Sequence, residues 1–170
     1  YECSNTAATL YNSEEISISS CHIYSIGDEL YGGYSFFAVD QSKNVVIENN
    51  EIADSELSHL ISCGASGVTL KNNRISSNRF TRGVLEIQPY ANVILDNNKF
   101  EENSIRKWFE YYESDVYDGK GRPWTEETLT AEYGVDAEKQ TAPQEPQLQI
   151  HVSTVDELIA AIGPDKEIIL

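Results

Sequence analysis

"NVVIENNEI" occupies residues 44–52, and its like returns at 67–75 as "GVTLKNNRI", at 92–100 as "NVILDNNKF" and, worn, at 15–23 as "EISISSCHI". Within each copy apolar and polar residues alternate. Ile16/Ile18, Val45/Ile47, Val68/Leu70 and Val93/Leu95 share one parity, and Ile23, Ile52, Ile75 and Phe100 follow them. A strict period of two makes a strand with one buried and one wet face, and a helical period does not fit. The copies begin at Ile16, Val45, Val68 and Val93, steps of 29, 23 and 25 residues, a spacing that marks stacked repeats rather than hairpins. A second apolar run precedes each copy: "AATLYN" from 7, "FFAVDQ" from 36, "LISCGA" from 60 and "VLEIQP" from 84. Like segments stacked on like segments build parallel sheets that rise about 4.8 Å per coil.

The paired asparagines mark corners. Asn49, Asn72 and Asn97 carry on the inward parity of their strands, with Ser20 as the counterpart in the first copy. Their amides are therefore expected to stack as an internal ladder, each bonding to the next coil. Asn50, Asn73 and Asn98 are expected to take the left-handed backbone that a corner needs and asparagine tolerates.

These V-x-[IL]-x-N-N-x-[IF] segments resemble the right-handed parallel β-helix of the pectin-lyase-like superfamily, across residues 1 to about 112. The resemblance implies an all-β fold, a right-handed parallel β-helix solenoid of about four to five coils. The right-handed crossover rule for parallel strands agrees. That family includes polysaccharide lyases, glycoside hydrolases, epimerases, adhesins and phage tailspikes, so the resemblance implies contact with carbohydrate rather than one reaction. It also implies a bacterial protein that is extracellular or at the cell surface.

Residues 113–148 form a Pro/Gly-containing acidic linker or capping segment; "DGKGRP" and "TAPQEP" are its turn signals, and residues 110–147 hold ten acidic against three basic side chains. Trp108, Tyr111, Tyr112, Tyr117 and Trp124 are expected to cover the end of the solenoid, or else to offer a stacking platform for sugars. In 149–170 the run "STVDELIAAIGPDKEIIL" reads as a capped amphipathic helix, with Val155, Leu158, Ile159 and Ile162 on one stripe, then a Gly-Pro stop and a short strand. This helix-turn-strand resembles the N-terminal cap of such β-helices. Either the chain is a slice of a longer protein, or the segment caps this solenoid or a neighbouring copy, with self-association through it as the consequence.

The formal net charge is −16, from 28 acidic against 12 basic residues, which opposes nucleic acid, anionic membrane and polyanionic substrates. No apolar run approaches the roughly 20 residues of a membrane span, and "YECSNTAATL" lacks the basic start and apolar core of a signal peptide. Cys3, Cys21 and Cys63 are odd in number and irregular in spacing, so they read as small apolar thiols, with neither a disulfide framework nor a zinc site.

Chemistry belongs to outward-facing residues. On the upstream strands these are Thr9, Tyr11, Ala38, Asp40, Ser62, Gly64, Glu86 and Gln88. Asp40 and Glu86 are the carboxylates among them and hence the candidate catalytic pair of a glycoside hydrolase. They fall two coils apart and in different columns. Gln88 is a candidate substrate contact. The loop "SSNRFTRG" brings Arg79 and Arg82 toward Asp54, Glu56 and His59, a second candidate substrate-binding corner with His59 as acid or base. Lys71 between Glu48 and Asp96 reads as a surface ion ladder, or as a lysine base beside Ca²⁺-binding carboxylates as in β-helix pectate lyases. No carboxylate cluster matches the calcium site of that family, so no metal is assigned, and Ca²⁺ stays open as a cofactor. The favoured reading is a non-catalytic adhesin or glycan-binding surface; the alternative is a polysaccharide lyase or glycoside hydrolase.

Overall fold

In the computed structural model the repeats wind into a parallel β-solenoid. Residues 6–26, 35–110 and 115–134 are described, all within the first of two compact units, Tyr1–Gln140; the helix-turn-strand expected at 149–170 lies outside them. The first coil carries β1 (Ala8–Tyr11), β2 (Ser17–Ser19) and β3 (His22–Tyr24). The second carries β4 (Ser35–Asp40), β5 (Val45–Glu48), β6 (Glu51–Ala53) and β7 (Glu56–Leu57). The third repeats the pattern with β8 (His59–Gly64), β9 (Gly67–Lys71), β10 (Arg74–Ser76) and β11 (Arg79–Phe80). The fourth is β12 (Leu85–Ile87), β13 (Asn92–Asp96), β14 (Lys99–Glu101) and β15 (Ser104–Ile105), followed by β16 (Val116–Asp118) and the helix α1 (Glu126–Tyr133). Three coils thus have all four strands, against the four to five coils expected, because beyond Ile105 the chain leaves the repeat to build a cap.

Each strand pairs in parallel with its counterpart in the next coil. Sheet A runs β1-β4-β8-β12, sheet B β2-β5-β9-β13-β16, sheet C β3-β6-β10-β14 and sheet D β7-β11-β15. Register is one-to-one, so equal positions form columns: Val45 lies on Val68 and Val68 on Val93. The inward columns of sheets A and B are buried throughout the three full coils, from Phe37 and Ile47 to Ile87 and Leu95. Burying a Val, Leu, Ile or Phe side chain stabilises by about 1.5–3 kcal/mol, so the alternation read from the sequence is the main source of cohesion.

The corners correct the asparagine assignment. Asn49, Asn72 and Asn97 have φ of 54°, 54° and 51° and are exposed, whereas Asn50, Asn73 and Asn98 are buried at 2, 1 and 5 % exposure. Asn50 Nδ2 donates to Asn73 Oδ1 at 3.0 Å, and Asn73 Nδ2 donates to Asn98 Oδ1 at 2.9 Å. The left-handed residue itself breaks the strand alternation, so the residue after it points inward. Cys21, not Ser20, stands at the ladder position of the first coil and gives its backbone N–H to Asn50 Oδ1. Asn72 and Asn97 do bond to each other, at 2.7 Å, on the outer surface. Two more corners repeat the device. Asn78 links to Asn103, and Ser42 and Ser66 form a hydroxyl version in which Ser66 Oγ accepts from Ser42 N at 2.9 Å.

The acidic stretch after the repeats is ordered where it is described. β16 adds a fifth strand to sheet B, and α1 lies over the end of the solenoid. Thr125 and Thr128 form a reciprocal capping box. Glu126 accepts from Trp108 N at 2.7 Å and Phe109 N at 3.0 Å, and Leu129 is fully buried. Tyr133 packs on Phe100, Trp108 and Trp124 with centroids 5.0, 5.6 and 6.1 Å away. Trp108 and Trp124 therefore serve the cap.

Candidate functional site

Small residues, Ala38, Ser62 and Gly64, stand at the centre of the outer face of sheet A. One outward column stacks Thr9, Ala38, Ser62 and Glu86; the next stacks Tyr11, Asp40 and Gly64, and Gln88 follows Ile87 into that second column. At Gly64 a Cβ would come within 2.8 Å of Asp40 Oδ1 and 3.1 Å of Gln88 Oε1. Two acceptor oxygens from coils on either side thus converge over a position without a side chain. Tyr11, next above Asp40, is 62 % exposed. The notch has acceptors and an aromatic face, the complement of a hydroxyl-rich ligand.

At the start of the same sheet lies a buried polar cluster. His59 opens β8 directly beside Ser35 of β4 and is 2 % exposed. Its Nδ1 is 3.5 Å from Ser35 Oγ and 3.7 Å from Glu86 Oε2, and its Nε2 is 2.5 Å from Glu110 Oε2. Arg82 pairs with the other Glu110 oxygen at 2.6 Å. Burial pushes the His59 pKa below its ordinary 6.5; Glu86 and Glu110 oppose that shift without overcoming it, and Arg82 adds to it. A neutral imidazole fits this geometry: Nε2–H donates to Glu110, and Nδ1 faces the Ser35 hydroxyl.

The model of the right-handed β-helix region matches residues 6–117, more than half the chain. The chain belongs to the right-handed β-helix family. Its parallel solenoid is consistent with the pectin-lyase-like superfamily. Among curated proteins none matches, and among solved structures none matches.

In this β-helix protein Asp40 and Glu86 stand two coils apart in adjacent columns, as their spacing predicts. Asp40 faces Gln88 across Gly64, and Glu86 faces His59. The Arg79/Arg82 corner divides. Arg79 pairs with Glu56 on the surface of sheet D, while Arg82 and His59 both meet Glu110, a residue outside the sequence-based candidates. Glu110 closes the irregular "RKWFE" at 106–110, where the repeat has faded, so no column could be read for it. Its rung is placed by the Leu85–Phe109 bridge. The ion pairs of a surface ladder are found in sheet C rather than around Lys71 in sheet B: His22–Glu51, Glu51–Arg74 and Arg74–Glu101 each meet at 2.8 Å. Lys71 stacks between Glu48 and Asp96 in sheet B. Among the described residues no three His, Cys, Asp or Glu side chains group to hold a metal ion, and no helix is long and apolar enough to cross a membrane.

Proposed function

We propose that this β-helix is a non-catalytic carbohydrate-binding module of an extracellular or cell-surface bacterial protein, holding a neutral glycan on the outer face of sheet A. The observation that carries this reading is the pair of acceptors, Asp40 Oδ1 and Gln88 Oε1, that draw together over buried Gly64, where no side chain separates them. Sugar hydroxyls supply the donors that such acceptors need, and exposed Tyr11 supplies a stacking face. The net charge of −16 favours neutral glycans over anionic ones. Hydrolysis asks for two carboxylates flanking one bond, and across Gly64 Asp40 faces an amide.

A second reading, a glycoside hydrolase, is favoured by one observation: Glu86 and Glu110 both lie within ion-pair reach of His59. One experiment separates the two. The chain is passed over immobilised neutral and acidic polysaccharides, with and without Ca²⁺, and both retention and new reducing ends are measured. Retention on a neutral glycan, lost in Gly64→Ala and Asp40→Asn without new ends, is the expected result. New ends that vanish in Glu86→Gln would replace binding with hydrolysis, and a calcium requirement would put a cation in the notch. Absence of retention on every glycan would reject the proposal.

A further inference from the structure

His59 reaches further along the solenoid than any strand contact does. Its ring touches Ser35 from the coil before and Glu86 from the coil after, and beyond that it meets Glu110 on the last rung. That rung continues sheet A through the Leu85–Phe109 bridge and the Glu110 N–H, which donates to Leu85 O at 3.0 Å. Lys107 Nζ donates to the Glu110 carbonyl at 3.2 Å. The same rung is where Glu126 of α1 grips the Trp108 and Phe109 amides. One buried imidazole therefore joins the body of the solenoid to the segment that carries its cap.

We propose that His59 is an acid-responsive latch, holding the last rung and the α1 cap on the solenoid when neutral and loosening them when protonated. The charged groups facing the ring among the described residues are Glu86 from β12, Glu110 from the last rung, and Arg82 from the turn before β12; Ser35 of β4 adds a hydroxyl. Two carboxylates attract an imidazolium, but the ring is 2 % exposed, and the lost hydration outweighs them, so the closed state resists the proton. An opened latch gives the ring back to water and its ordinary pKa of 6.5. The open state then takes up the proton first. The contribution of the latch is complete above pH 6.5, falls as pH drops from there through the closed-state pKa, and levels off below it.

The chain has two tryptophans, Trp108 and Trp124, and both belong to the cap, so tryptophan emission reports the latch. Emission and far-UV circular dichroism are recorded on the full chain from neutral pH downward. The expected result is a red shift of emission with a midpoint below pH 6.5 while the β signal persists. His59→Gln, which keeps a donor but cannot charge, removes that step; His22→Gln, on exposed sheet C, leaves it unchanged. Glu86→Gln removes a carboxylate that steadies the imidazolium in the closed state, so the closed state resists the proton more strongly and the midpoint moves to higher pH. A step that survives His59→Gln overturns the proposal, as does a loss of β signal that coincides with the emission change. Should His59→Gln fail to fold, an unmoved midpoint in Glu86→Gln overturns it instead.

Discussion

Asn72 and Asn73 are adjacent and chemically identical, and the fold uses them for opposite purposes. Asn73 Oδ1 accepts from Asn50 N and Nδ2, while its own Nδ2 serves Ile47 O at 2.8 Å and Asn98 Oδ1. Asn73→Ala strands the buried Asn50 N–H and Ile47 carbonyl and removes the rung between Asn50 and Asn98, and a loss of about 2–4 kcal/mol in chemical denaturation is expected. Asn72→Gly keeps the positive φ and should stay within about 0.5 kcal/mol of the parent. Equal costs at the two positions would refute the ladder assignment. Cys63 gives a second test at this scale. Burial, helped by Asp40, pushes its thiol up to about 12, so at neutral pH it holds almost no thiolate. Thiol labelling of the native chain followed by peptide mass analysis should leave Cys63 unmodified while exposed Cys21 reacts, with Cys63 labelled once denaturant is added.

Among the elements, α1 depends on one carboxylate more than on its own sequence. Its eight residues bury only Leu129, and an isolated helix of that length is not stable in water. Glu126 supplies the attachment through the two amides it binds. Glu126→Ala leaves Trp108 and Phe109 N–H groups unpaired, and a cost of about 2–3 kcal/mol is expected. The signature would be local, with faster amide exchange over 104–110 and unchanged exchange in β5 and β9. Uniform acceleration across the solenoid would show instead that the cap is part of the global folding unit. Thr125→Ala removes the capping box alone and should cost about 1 kcal/mol.

For the whole molecule, coil-on-coil stacking makes stability a sum of neighbour interfaces, and the coils are not equal. In the first coil Leu10, Ile16, Ile18 and Ile23 are only half-buried, and Cys21 stands where an asparagine would extend the ladder. β5, β9 and β13 carry fully buried residues, and the Asn73 rung after β9 is bonded to an asparagine on either side. Hydrogen exchange is therefore expected to rank the coils, fastest in β1–β3 and slowest in β9. Equal protection in β2 and β9 would contradict a nearest-neighbour solenoid.

Alternating Val, Ile and Leu at a repeat of 23 to 29 residues was enough to determine the parallel solenoid, its inward columns and the outward positions of Asp40, Glu86 and Gln88, because strand parity and repeat spacing are local properties of the chain. The side of the corner on which each asparagine sits was not legible, since a single left-handed residue reverses a parity counted along the strand. The aromatic cover of the solenoid end was legible, but its helix was not, because that helix has one buried apolar residue and no amphipathic stripe to betray it. The nearness of Arg82 to His59 was legible in the sequence, but their joining through Glu110 and Glu86, and the convergence of Asp40 and Gln88 over Gly64, came from the tertiary structure alone. Both join residues from different coils, and the distance between coils is decided by backbone pairing and by how far each side chain reaches, quantities that no spacing along one strand contains.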